Sequence, residues 1–323
     1  MHLLGAVLAV LSAATFALTN AVGRRGVITG TAAQGMVISI PVGLACFLSL
    51  ALLAGAFHNV GSFSVSALAS LSAAGALHFV LGRYCNFRAS QAAGVNLTAP
   101  VMQLNAVVTL ALAVLVLREP CTILQVAGAV LMVAGSLVTQ RASATKPNDQ
   151  RVFEPRVAMG FFFASIAALA YGTSPIIIRQ ALDGAGPLAG LLGGSIAYAG
   201  ATLTIALGFL VPALRRNVMK VSGENARWFV YSGIFVAAAQ GFLYSALAVA
   251  PIMLVVPLLQ LSLVFRFVFA LLLNPDHEVF GFLVIFGSVV SIAGACGVAV
   301  DTNLILQWLA IPEPLAAMLR AQL

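Results

Sequence analysis

The sequence predicts an all-α membrane protein of ten transmembrane helices, arranged as two inverted-topology repeats of five. Three observations carry this. The chain of 323 residues is 61% hydrophobic and only 8% charged, with a mean hydropathy of +1.06, whereas soluble domains carry about 25% charged residues. Ten apolar runs near spanning length, about 20 residues, follow one another at 3–22, 33–56, 65–83, 91–117, 121–140, 157–178, 188–211, 228–249, 252–273 and 279–300. The second half also repeats the first: laying Pro100 on Pro257 lays Gln103 on Gln260, and after a two-residue shift Glu119 falls on Glu278, Gly128 on Gly287 and Gly135 on Gly294. Upstream, Gly5 pairs with Gly160, Phe16 with Tyr171 and Arg24 with Arg179.

The first repeat is therefore expected over 1–140, a polar linker over 141–156, the second repeat over 157–300, and an interfacial or disordered tail over 301–323. Five spans is an odd number, so the second copy must enter the membrane from the opposite side, with a binding site expected between the halves near mid-membrane. A β-barrel would show alternating strands of about ten residues, which these continuous runs do not. The first run contains small residues such as Ala13 and Ala14, as a signal peptide would, but it lacks a basic leader and matches 156–180, so it reads as a retained span.

Four cysteines, Cys46, Cys85, Cys121 and Cys296, are scattered without a CxxC and read as packing residues, not as disulfides or metal ligands. The net charge of +7 is no nucleic-acid signature, because the basic residues bound the spans. Those following spans one, three, five and seven, Arg24, Arg25, Arg83 and Arg88 among them, mark a cytoplasmic face by the positive-inside rule and leave both termini outside. Gly186, Gly190 and Gly194 recur every four residues and form a packing face. In the tail, Trp308 reads as an interfacial anchor, with any helix cut at Pro312 and Pro314.

Glu119 closes the fourth span and is followed by Gln125, Gly128, Leu131, Met132 and Gly135. This Gln-x-x-Gly-x-x-Leu-x-x-x-Gly pattern, with a proline in the fourth and ninth spans, resembles the EamA repeat of the drug/metabolite transporter superfamily over about 1–300. The second copy departs from it, since Val284 stands where the glutamine would be. The resemblance implies a carrier of small polar metabolites in the cell (inner) membrane with both termini in the cytosol, opposite to the charge count. Family substrates include exported amino acids, exchanged sugar phosphates or nucleotide sugars, and small cations.

All nine acidic residues fall at span ends, in loops or in the tail. A cation would enter the membrane without a counter-charge, so the expected solute is neutral, zwitterionic or anionic. Arg266 is the one full charge well inside an apolar run, either an anchor for a carboxylate or phosphate or a side chain snorkelling past Asn274. Gln103 and Gln260 lie three residues after Pro100 and Pro257, where proline frees a carbonyl and bends the helix. Asn105 is two residues from Gln103, so on one continuous helix the two point apart. Asn20, and Tyr171 and Ser174 beside Pro175, a third expected helix break, occupy matching parts of the two repeats; Tyr198 continues the glycine stripe; Gln240 and Tyr244 share a face. His78, deep in the third span, is a candidate for proton coupling or a bonded core residue.

Paired metal-spaced aspartates, HExxH, GxSxG and a histidine pair are all missing from the sequence, so no catalytic residue, metal or cofactor is expected. Export of an amino acid or related compound is the first reading. Exchange of a phosphorylated or otherwise anionic metabolite is the second, favoured if two basic side chains converge at the midplane. A scaffold or channel subunit is the non-transport alternative. The expected partners are the solute and the lipid bilayer, with the chain a monomer or homodimer.

Overall fold

Hydrocarbon offers no partner for backbone N–H and C=O groups, so a chain this apolar must satisfy them within helices. The computed structural model describes residues 2–56, 61, 63–117, 121–144, 153–181, 187–249, 258–259, 261–279 and 281–321. Those residues form helices and no strand. Six of the helices are long and apolar enough to cross a membrane, and Ile123–Thr139, Ser262–Leu273 and Phe282–Val298 are shorter apolar helices.

The first two helices, α1 (His2–Thr29) and α2 (Ala32–Leu53), are separated by a capping box in which the Thr31 hydroxyl accepts from the Gln34 N–H and the Gln34 side chain accepts from the Thr31 N–H. The next run is longer than the hydropathy window predicts. It comprises α3 (Val65–Gly75), a π-helical stretch (Ala76–Gly82) and α4 (Arg83–Ala93), so Arg83 and Arg88 lie within a helix and not in a loop. Pro100 lies in α5 (Val95–Met102), which is parted from α6 (Leu104–Leu117) at Gln103. Helix α7 (Ile123–Ala144) begins with a second reciprocal cap, between Thr122 and Gln125. That cap gives the glutamine of the sequence motif a structural role.

The second half contains α8 (Val157–Ala181), α9 (Pro187–Gly208), the short α10 (Pro212–Val218), α11 (Gly223–Val249), α12 (Ser262–Leu273) and α13 (Phe282–Ala299). The expected break at Pro175 is not seen, because α8 runs through it. A proline leaves the carbonyl four residues earlier without its amide donor, and here the Ser174 hydroxyl donates to the Tyr171 carbonyl at 3.5 Å. The tail is helical where disorder was one expectation: α14 (Thr302–Trp308) is followed by α15 (Glu313–Arg320), whose start the prolines occupy, and Trp308 is exposed.

Packing joins the two sequence halves more than it joins neighbours in sequence. Helix α1 lies along α11 and α12, and α8 lies along α3, α4 and α6; α2 meets both α9 and α11, α9 meets α3, and α7 meets α13. Exchanging the first five apolar runs for the second five maps these contacts onto one another. The α7–α13 contact is backbone to backbone: a Cβ on Gly128 would lie 2.6 Å from the Gly294 carbonyl, and one on Gly135 would lie 2.5 Å from the Gly287 carbonyl. Rising numbers on α7 therefore meet falling numbers on α13, and the two helices are antiparallel. The glycines matched in the sequence repeat are the residues that make the contact.

Of the expected stripe in α9, Gly194 abuts the Phe47 ring, Gly190 has open space where a Cβ would stand, and Gly186 lies outside the described residues. The four cysteines are free. Replacing Gly294 with leucine should cost at least about 1–3 kcal/mol by overpacking, read as a fall in the thermal unfolding temperature in detergent. Gly190→Ala should stay within about 0.5 kcal/mol of the parent.

Candidate functional site

A cavity of about 270 Å³ lies between the halves. Helix α1 contributes Phe16, Thr19 and Asn20; the π-helical stretch and α4 contribute His78, Phe79, Arg83 and Asn86; the α5–α6 break contributes Gln103 and Asn105. From the second half come Tyr171 of α8, Val236 and Gln240 of α11, Leu259, and Ser262 and Arg266 of α12. Irregular backbone is tolerated in a membrane where it borders a cavity, and both departures from regular α-helix in this part of the chain do so.

Six residues expected from sequence are brought together here: Asn20, His78, Gln103, Tyr171, Gln240 and Arg266. Ser174 is buried behind the wall and holds the His78 ring, with its Oγ 2.7 Å from Nδ1. Tyr198 sits elsewhere, corrected to a neighbouring cavity of about 50 Å³ that His78, Phe79 and Gln240 also border. Its ring stacks on Phe79 at 3.8 Å and on Phe47 at 5.3 Å, so it packs between aromatic side chains instead of facing the main cavity. Gln260 and Pro257 lie outside the described residues, as do the side chains of Tyr244 and Pro175.

Arg83 is the principal residue the sequence reading assigned wrongly. The apolar window closes at position 83, which made it a topology anchor, yet the helix continues to Ala93 and the side chain is buried. Its Nε donates to Ser39 Oγ at 2.7 Å, and Nη2 donates to the Ser232 hydroxyl and carbonyl at 3.0 and 3.2 Å. These partners are neutral. Phe79, Arg83 and Asn86 follow a helical i, i+4, i+7 spacing, a signal that one polar face persists past the apolar window.

Asn86 donates to Asn20 Oδ1 at 3.0 Å, tying α4 to α1. Asn105 and Gln103 both reach the cavity, against the expectation that they point apart, because the helix is interrupted at Gln103 itself. Arg266 does not snorkel past Asn274, whose buried amide is instead committed to the Ala21 carbonyl at 3.0 Å. The Arg266 Nε is buried without a hydrogen-bond partner among the described residues. No acidic side chain borders the cavity among those residues.

Beyond Asn20 on α1, an ion pair joins the halves. Arg24, 1% exposed, places Nε 3.4 Å from Glu278 Oε1 and donates to the carbonyls of Ser90, Gln91 and His277. Its guanidinium also lies 4.4 Å over the Phe153 ring. Glu278 in turn accepts from the N–H groups of Val95 and Asn96 at 2.8 and 3.0 Å, capping α5 where the helix dipole favours negative charge. Gly94 permits this, with φ +82° and only 2.5 Å between an added Cβ and Glu278 Oε2. Burial pushes the Glu278 carboxyl above its ordinary pKa, while Arg24 and the two amides pull it down. Arg24 was expected to be a loop anchor; the ion pair and carbonyls account for its burial instead. The Arg156 N–H donates to the Ala92 carbonyl at 2.7 Å, so this end carries Arg156, where the chain enters α8.

Long apolar helices around a polar interior mark a multi-pass membrane protein. Residues 3–141 match the model of the EamA-like transporter family, and this stretch contains the Glu119–Gly135 motif that carries the resemblance. The family's members are transporters and not enzymes. No curated protein matches the chain. Among solved structures, one crystal structure is similar with a TM-score of 0.59 at 16% identity, covering 94% of this chain and 98% of its own; the likeness is one of fold. Replacing Glu278 with alanine should lower the unfolding free energy by about 3–5 kcal/mol, because Arg24 is left as a buried uncompensated charge. Denaturation of the purified variant checks this.

Proposed function

We propose that the chain is a secondary transporter that carries a small polar metabolite across the cell membrane by alternating access. The observation that carries this reading is a polar cavity between the two sequence halves, with an inter-half ion pair, Arg24–Glu278, one helical turn beyond its Asn20 wall. The proposed architecture is ten spans in two inverted repeats, 1–140 and 157–300, joined by 141–156 and followed by an interfacial tail over 301–323. The antiparallel α7–α13 contact and the exchange symmetry of the helix pairs support inversion, since repeat-related helices in a parallel duplication would run the same way. Rocking one half against the other would part Arg24 from Glu278 and expose the cavity at the linker end.

The test is a chain without its four cysteines and with Asn86→Cys in the cavity, treated with a membrane-impermeant thiol reagent in vesicles of either orientation. The expected result is labelling from the face remote from the linker. Glu278→Gln should raise labelling from the linker face at least about tenfold, the population shift that about 1.4 kcal/mol of lost latch energy produces. Equal labelling from both faces in the parent would point to a pore. A linker-face rate unmoved by Glu278→Gln would overturn the latch.

A further inference from the structure

A carrier site defines its solute by the charge it cannot neutralise internally. Arg83 and Arg266 both border the central cavity, one from each sequence half. Tyr171 borders the same cavity, so the three side chains surround a common space. The described bonds of Arg83 are to serine hydroxyls and a carbonyl, while the Arg266 Nε has no described partner. No carboxylate borders the cavity among the described residues. The acid that the structure does bury, Glu278, is committed to Arg24 and to the start of α5.

Two guanidiniums at membrane depth without an anion form an unfavourable arrangement that a ligand can relieve. Resting on the carrier reading, we infer that the solute is a small organic dianion, a dicarboxylate or a phosphate monoester, held between Arg83 and Arg266. Planar N–H forks suit both anionic groups. The amides of Asn20, Asn86 and Gln240 and the Ser262 hydroxyl then serve the uncharged part of the solute, and about 270 Å³ is the scale of a small metabolite. A zwitterionic amino acid, the first expectation from sequence, would leave its ammonium facing the same two cations. The aromatic faces of Phe16, Phe79 and Tyr171 are the remaining place for it.

A matched four-carbon series tests this on the purified full chain in nanodiscs of neutral lipid. Succinate is the dianion, butyrate the monoanion and γ-aminobutyrate the zwitterion, with glycerol 3-phosphate as the phosphate arm; binding is read by calorimetry. The expected result is that succinate or glycerol 3-phosphate binds at least about tenfold more tightly than butyrate and γ-aminobutyrate. Arg266→Gln should weaken the dianion by about 10- to 100-fold, the effect of losing a charge-assisted contact, while leaving butyrate less affected. Arg83→Gln should do the same; should that variant fail to fold, the Arg266→Gln result and the parent's solute ranking decide alone.

Tighter binding of γ-aminobutyrate than of succinate, or dianion binding unchanged by Arg266→Gln, would overturn the assignment while the carrier reading stands. Stabilisation only when phosphatidate is added to the nanodiscs, with no soluble anion bound, would reassign the cations to a lipid headgroup and overturn it too. No binding of any of the four solutes to the parent would also overturn it, and the two-faced labelling of Asn86→Cys then decides the carrier reading separately.

Discussion

Burying a guanidinium is tolerable only where something answers its charge, and the arrangement of this molecule follows from how few acids are placed to answer. Arg24, Arg83 and Arg266 all lie within helices, but no acidic side chain borders the cavity among the described residues. At an end, Arg24 meets Glu278, and the two halves close around the pair. Arg83 is met by hydroxyls and a carbonyl, and Arg266 faces the cavity. The inter-half ion pair and the cation-lined cavity are two ways of placing buried guanidiniums.

Close approach of backbones supplies the frame that holds these charges in place. Lipid tails are as apolar as leucine, so helices gain little from burying large side chains against one another and more from contact at small residues. Gly128 against Gly294 and Gly135 against Gly287 bring α7 and α13 together, and Gly75 against the Ala197 carbonyl does the same for α3 and α9. Gly82 serves the site directly, since a Cβ there would lie 2.6 Å from the Tyr171 ring. Regular helix is relaxed at the π-helical stretch bearing His78 and at Gln103, and both positions face the cavity.

Most of the site was legible because a polar side chain in an apolar run is conspicuous. Asn20, His78, Gln103, Tyr171, Gln240 and Arg266 were read on that ground, and all border one cavity. Arg83 and Asn86 were missed because the segment Arg83–Arg88 is polar enough to end a hydropathy window, although its helix continues through the protein interior. Tyr198 was misplaced because a shared stripe with Gly194 fixes a helix face but not the neighbour that covers it, here Phe47 and Phe79. Ser174 was read as lining and instead orients His78 from behind.

Length and hydropathy determined by themselves that this is a helical, multi-pass membrane chain, because those properties act within one span. Which polar groups meet was decided only by tertiary packing. The Arg24–Glu278 pair joins residues 254 positions apart and the His78–Ser174 bond residues 96 apart. Helices of similar hydropathy can pack in many orders, and only the close contacts between particular backbones select the one in which two arginines face the same enclosed space.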